Sequence, residues 1–303
     1  YTGKVADIHA YDGQSKNKYS EAGRDPNLLF KAKEITANNL NYYRDKEKAE
    51  KNDEKKTSTR TDDFYKIIEE RGGGTSIFDP VVCELCYKWF CPQNGIILDP
   101  FAGGSVRGIV AHILGYKYYG IDLNNEQIEA DIAQGKEIVP ENMPTWINGN
   151  SVNLIKLLPE GFTSDFVFSC PPYYDLEKYT TKKEDLSNMS WREFKDEYSK
   201  IIYNSVQALK QNRFACFVIS EVRDKDGFYR GLVPFTIGAF KAADALLYNE
   251  IILLNSVGSM PIRVNRQFGD YRKVGRIHQV ILVFFRGNPD DIPTIFNHID
   301  TDI

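Results

Sequence analysis

From residue 76 onward, apolar positions alternate between two periods. Short continuous apolar runs alternate with longer stretches whose apolar residues recur every three to four positions. The first pattern reads as buried strands and the second as amphipathic helices. "SIFDPVVCELCYKWF" predicts a helix, with Ser76 or Asp79 as its cap. "GIILDPFAGGS" is a strand running into a glycine turn, and "SVRGIVAHILG" a helix closed by Gly115. "YKYYGIDLN" and "TWINGN" are strands, each followed by a helix ("NEQIEADIAQGKEI" and "SVNLIKLLP"). "SDFVFSCPP" is the fourth strand. "SWREFKDEYSKIIYNSVQALKQ" is a long helix, with Ser190 and Glu193 spaced as a capping box. "RFACFVISEV" is a strand, "FTIGAFKAADALLY" a helix, and "NEIILLNSVG" and "HQVILVFFRG" are the last two strands. Such alternation predicts βαβ units and an α/β fold, with a mainly parallel seven-stranded sheet covered by helices on both faces.

Upstream the pattern fades. Residues 1–70 show no strong period and form an expected N-terminal appendage, helical or irregular. Within it, 42–63 is dense in alternating charge, which reads as a solvated helix or loop, or as a clamp on DNA. "ERGGGTS" marks the boundary of a domain expected over 71–290, with 291–303 as a tail.

The 303 residues are 42% hydrophobic and 26% charged, an ordinary globular composition. No apolar run reaches the roughly 20 residues of a membrane span. The opening "YTGKVADIHAYDGQSK" lacks the apolar centre of a secretory signal, so a cytoplasmic setting is the expectation. The five cysteines, odd in number and set among apolar neighbours, argue against a disulfide framework. Cys83-x-x-Cys86 with nearby Cys91 invites a zinc reading, but the segment is helical and lacks a fourth ligand at a familiar spacing. Small residues on the core side of a helix account for the cysteines better.

In sheets of this kind ligands sit at the carboxyl ends of the strands. The residues there are Asp99 to Ser105, Asp122, Asn150, Cys170 to Tyr173 and Glu221. Gly103 and Gly104 permit a tight turn with no side chain in the way of a ligand. The turn lacks both G-x-G-x-x-G and the lysine of a P-loop, which disfavours dinucleotides and triphosphates. Asp122 ends the next strand, where a carboxylate can accept from both hydroxyls of a ribose, or can cap the helix beginning near Asn124.

"DPFAGGS", "GIDLN" and "CPPY" together resemble the S-adenosylmethionine-dependent methyltransferases of nucleic-acid bases. The similarity is greatest to the N4-cytosine/N6-adenine amino-methyltransferases with a D/N/S-P-P-Y/F/W motif. The later stretches resemble phage-encoded members. The resemblance covers about 70–288 and implies a methyltransferase of the Rossmann-like type that uses S-adenosylmethionine and double-stranded DNA, in a phage or restriction-modification setting. It implies that Thr75 and Ser76 touch the methionine end of the cofactor. Asp99, Phe101, Gly103, Gly104 and Ser105 would line the pocket floor, Asp122 would hold the ribose, and Asn150 would meet the adenine edge where an Asp is more usual. Pro171 and Pro172 would stiffen the reacting turn and Tyr173 would stack on a flipped base.

Cys170 departs from the family pattern. Three readings stand. In one it replaces Ser and the backbone carbonyl accepts from the target amine. In another it is a nucleophile toward C6 of a pyrimidine, with Glu221 contacting N3, as in the cytosine-C5 methyltransferases. In the last it only fills space. For Glu221 a surface ion pair with Arg223 or Lys225 is the plain alternative.

The stretch 256–279 carries Arg263, Arg266, Arg272, Lys273 and Arg276 against the single acid Asp270, with Phe268 and Tyr271 between them. In a chain of net charge −4 this suits phosphate contacts and base stacking, or a solvated loop. The segment 221–235 adds Arg223 and Arg230. A silent DNA-binding relative and an RNA or protein methyltransferase complete the alternatives.

Overall fold

In the computed structural model, residues 78–254 and 267–299 are described. Strands β1 (Ile96–Asp99), β2 (Lys117–Asp122), β3 (Thr145–Asn148), β4 (Ser164–Ser169), β5 (Leu209–Ile219), β6 (Leu246–Leu254) and β7 (His278–Arg286) form one sheet in the order β3-β2-β1-β4-β5-β7-β6. All neighbouring pairs from β3 to β5 are parallel. β7 is antiparallel to both β5 and β6. The chain builds outward from β1 to β3 and then returns to lay β4 against the other side of β1. That reversal is the switch point, at the carboxyl ends of β1 and β4, where open α/β sheets place their ligands.

Successive strand residues face opposite ways, so each strand feeds two cores. Phe166, Phe168, Phe214 and Cys216 point to one face, under α1 (Pro80–Phe90), α2 (Val106–Ile113) and α3 (Asn125–Ile138). Val167, Ala215 and Phe217 point to the other, with α4 (Leu154–Leu157), α5 (Trp191–Ala208) and α6 (Leu232–Ala242). Cys83 and Cys86 lie in the first core at 0% and 1% exposure, on the inner side of α1. Asp79 caps that helix through the N–H of Val81. Ser190 and Glu193 make the reciprocal capping box that starts α5.

Two helices differ from their sequence readings. The long helix predicted over 190–211 ends at Ala208 and yields Leu209 to Gln211 to β5. The apolar pattern predicts the next over 235–248, but α6 begins at Leu232 and ends at Ala242. Its start rests on a carboxylate from outside the helix, described below. Its end follows from Asp244, whose φ of 73° turns the chain out of the helix and into β6. Leu246 and Leu247 then pair with Phe285 and Phe284. The stretch expected as a tail is held at its start: Asp291 accepts from Asn212, and Phe296 packs 5.1 Å from Phe214. A final short helix, α7 (Ile292–Ile295), lies between them. Among the described residues no helix is long and apolar enough to cross a membrane.

Candidate active site

Between β1 and α2 the backbone turns through Gly103, whose φ of 49° lies in the left-handed region that glycine takes without penalty. Its N–H donates to Asp122 Oδ2 at 2.9 Å, which ties the turn to the end of β2. Asp122 Oδ1 accepts from Asn124 N at 2.8 Å. The cap of α3 is Asn124, through Glu126 N, and not Asp122. Burial pushes the Asp122 carboxyl up, and the N–H bonds from Asn124 and Gly103 oppose it. Among the described residues a side chain at Gly104 would meet nothing within 4 Å, which leaves space over the turn. Beyond β3, Asn150 accepts from Val152 N and Ser151 donates to Pro100 O, which joins the third strand end to the turn.

The other residues of this group turn inward. Asp99 is fully buried and accepts four hydrogen bonds: from Phe101 N (3.0 Å), Arg107 Nε (2.5 Å), Tyr118 Oη (2.8 Å) and Ser169 Oγ (2.5 Å). Arg107, also buried, donates through Nη2 to the carbonyls of Phe101 and Ala102. Burial pulls the guanidinium pKa down, but Asp99 outweighs it and holds Arg107 charged. Phe101 packs on Tyr198 and Phe217, on the α5 side of the sheet. The buried Ser105 hydroxyl bonds Gln134 of α3. Asp99, Phe101 and Ser105 therefore shape the turn from below.

Ser169 ends β4, so its bond to Asp99 carries the network straight to the Cys170-Pro171-Pro172-Tyr173 turn. Cys170 Sγ lies 3.6 Å from Tyr173 Oη, and Tyr173 Oη donates to Val218 O of β5 at 3.3 Å. Burial raises the Cys170 pKa; Arg107 and the Tyr173 contact oppose it without prevailing. The thiol is thus held protonated. Tyr174, at φ 59°, drops its ring between Trp191 and Phe194. Arg230 covers that ring at 4.7 Å and lies 3.7 Å from Asp175.

Glu221 differs from both sequence readings. Its Oε2 accepts from Gly231 N (3.1 Å) and Leu232 N (3.2 Å), and its Oε1 from Val233 N (2.9 Å). A carboxylate here satisfies the free N–H groups at the start of α6 and meets the positive end of the helix. The plain alternative, an ion pair with Arg223 or Lys225, is not formed among the described residues; Arg223 donates to Gly227 O.

In the basic stretch, Arg272 bonds back to Phe268 O and Gly269 O, and Arg276 donates to His278 O. Lys273 lies against Gly227, so this segment touches the loop after β5. Phe268 and Tyr271 are 49% and 65% exposed. Thr75, Ser76, Arg263, Arg266 and the 1–70 appendage lie outside the described residues.

Sequence reasoning passed over Arg107 and Ser169, and gave Arg230 only to the nucleic-acid face. The first two left a signal: an arginine in the mostly apolar helix "SVRGIVAHI", and a serine closing the apolar run "FVF" of its strand.

Comparison with known proteins adds an independent line. Residues 9–134 match the N6/N4 family of DNA methylases. The match includes much of the N-terminal region that the motifs leave out, runs through the glycine turn and Asp122, and ends before Cys170. No curated protein matches. Solved structures with a similar course include TrmN from Thermus thermophilus (12% identity, 69% of this chain and 49% of that one, TM-score 0.45). The chain thus spans about half the length of TrmN. Others are a methyltransferase from Pyrococcus furiosus (15%, 70% and 84%, 0.44) and magnesium protoporphyrin IX methyltransferase (ChlM) from Synechocystis PCC 6803 with bound SAM (12%, 88% and 100%, 0.43).

Proposed function

We propose that this chain, which over residues 9–134 matches the N6/N4 DNA methylases, is an S-adenosylmethionine-dependent methyltransferase acting on an exocyclic amine of a DNA base. One observation carries the reading. The glycine turn, bonded to Asp122, and the Cys-Pro-Pro-Tyr turn lie at the carboxyl ends of neighbouring strands and share one buried carboxylate, Asp99.

The residues fit the cofactor. Each Asp122 oxygen accepts one backbone N–H, and a carboxylate oxygen has a further acceptor site for a ribose hydroxyl. The open space over Gly104 leaves room beside it. When bound, S-adenosylmethionine supplies an electrophilic methyl group. In this reading Asn150 meets the adenine, and Thr75 and Ser76 meet the methionine end. Pro171 and Pro172, without N–H groups, lock the turn so that the Cys170 backbone carbonyl accepts from the target amine and faces its growing positive charge. Tyr173, tethered at its hydroxyl, is the ring assigned to the base. Arg272, Lys273 and Arg276, with Arg263 and Arg266, are assigned to the phosphates of double-stranded DNA. The setting would be the cytoplasm of a bacterial or phage-infected cell.

Cytosine-C5 transfer loses support on two counts. It needs a thiolate, and the Cys170 thiol is held neutral by burial. It needs a Glu221 carboxylate turned to the base, and both of its oxygens cap α6.

The test is to incubate the protein with duplex DNA and labelled S-adenosylmethionine, digest, and identify the modified nucleoside by mass spectrometry. N6-methyladenine or N4-methylcytosine is expected. 5-Methylcytosine would restore the thiol route, and label found only in RNA or protein would overturn the DNA reading.

A further inference from the structure

Between β5 and α6 the chain makes a small hairpin, 222–230, whose construction exceeds what a connection needs. Arg223 and Tyr229 pair across it in antiparallel fashion. Arg230 N donates to Val222 O at 2.9 Å and Asp224 N to Phe228 O at 2.8 Å. At the tip, Asp224 Oδ1 accepts from both Asp226 N and Phe228 N. Gly227 takes a φ of 93°, which its lack of a side chain permits. The Arg223 guanidinium stacks 4.0 Å from the Tyr229 ring and bonds Gly227 O at 2.7 Å. Polar groups on both strands and the turn are thus used internally, which stiffens the tip.

What this stiff tip presents is apolar. Phe228 is 73% exposed, more than any other large hydrophobic side chain among the described residues. Cations lie on its chain neighbours, Arg223 on the Tyr229 ring and Lys273 against Gly227, and the carboxylate of Asp224 is bonded into the turn. The base of the hairpin is anchored at the reacting turn. Arg230 sits over Tyr174 and Trp191 and beside Asp175, directly after Cys170-Pro171-Pro172-Tyr173. On the other strand, Glu221 is pinned to the start of α6. An exposed aromatic on a rigid arm fixed beside a reacting turn, with cations on its chain neighbours, matches the chemistry of a base stack edged by phosphates.

We propose that Phe228 is an intercalating wedge: the hairpin tip enters duplex DNA beside the target base and its ring fills the gap left when that base turns toward Cys170. This rests on the DNA reading above. Phe228 is a positioning residue, and its partner is the base stack rather than the reacting atoms.

The experiment compares a mixed-sequence duplex with the same duplex carrying one central abasic site, by fluorescence anisotropy. Because the gap is already open in the abasic duplex, the unmodified protein should bind it at least about 5-fold more tightly, since the cost of unstacking is absent. Phe228→Ala should bring that ratio to about 1, and Phe228→Trp should keep it, because a larger ring still stacks. The salt dependence of binding, set by the phosphate contacts, should stay the same in both variants. A ratio that Phe228→Ala does not change, or a ratio near 1 in the unmodified protein, overturns the wedge while leaving DNA binding intact. If the unmodified protein binds neither duplex, the DNA reading falls and the wedge with it.

Discussion

The two turns at the carboxyl edge of the sheet are built in opposite ways. Around the glycine turn, charged side chains do the holding: Asp99 gathers four donors, Arg107 grips two carbonyls, and Asp122 ties the turn to β2 with acceptor capacity to spare. Around the Cys-Pro-Pro-Tyr turn, each reactive side chain is silenced. The thiol is held neutral, Tyr173 is tethered to a strand carbonyl, and Glu221 is spent on a helix start. In the proposed reading one half binds through side chains. The other offers a rigid backbone and a shape, which is what transfer to an amine needs if a carbonyl is the acceptor.

Substitutions can break this contrast, and the largest effect belongs at Arg107. Arg107→Ala strands a buried carboxylate, so unfolding in urea should show a loss of about 3–5 kcal/mol, with Arg107→Lys recovering part of it. At Asp122 the loss should fall on ligand binding. Asp122→Ala should weaken S-adenosylmethionine binding in calorimetry by roughly 1.5–3 kcal/mol, the worth of hydrogen bonds to a charged group. An unchanged affinity would mean that the acid serves only the turn.

Asp131 of α3 sharpens the comparison from the binding side. It is fully buried, Oδ2 has no hydrogen-bond partner among the described residues, and Oδ1 accepts from Gln127. Burial raises its pKa to about 8 against the pull of Gln127 and Arg107, with Asp122 and Asp99 adding to the rise. Its folded pKa lies above its unfolded value, so the native state binds the extra proton between about pH 4 and pH 8. Its stabilisation is complete below about pH 4 and drains away as pH climbs toward 8. Asp131→Asn should flatten that decline, and at pH 8 it should raise the melting temperature by roughly 2–4 °C, as about 1 kcal/mol does in a domain of this size.

On the reacting side the effects should be smaller and of a different kind. Glu221→Ala should cost about 1 kcal/mol in a melt, the value of a helix cap, while methyl transfer per folded molecule stays within about 2-fold. A collapse of transfer without loss of stability would return Glu221 to the chemistry. Cys170→Ser should leave the melt in place and keep transfer within about 3-fold, because a hydroxyl can replace a neutral thiol of similar size. Near-complete loss would show that sulfur attacks carbon.

Local patterns held most of the fold. The seven strands, their alternation with helices and the Ser190–Glu193 box follow from periodicity and capping chemistry acting within a few residues. Where the reading of α6 slipped, the cause was distant: Glu221 sets its first turn from ten residues upstream of Gly231, and β7 claims Leu246 and Leu247 for the sheet. The candidate site divides the same way. The glycine turn, Asp122 and the Cys-Pro-Pro-Tyr motif are visible because strand ends followed by glycine or proline mark themselves in any chain. The roles of Cys170 and Glu221 are not visible, because an acid or a thiol takes its character from burial and neighbours.

The chain alone thus settled the seven strands and their mainly parallel sense, since these depend on apolar spacing and backbone stereochemistry. Packing decided which polar groups remain available. Asp99 and Asp122 both follow strands in similar motifs, yet one is consumed by Arg107, Tyr118 and Ser169, while the other keeps acceptor sites beside open space. The physical reason is that hydrogen-bond partners and desolvation come from residues far apart in the chain, and only the folded sheet brings them to the same atom.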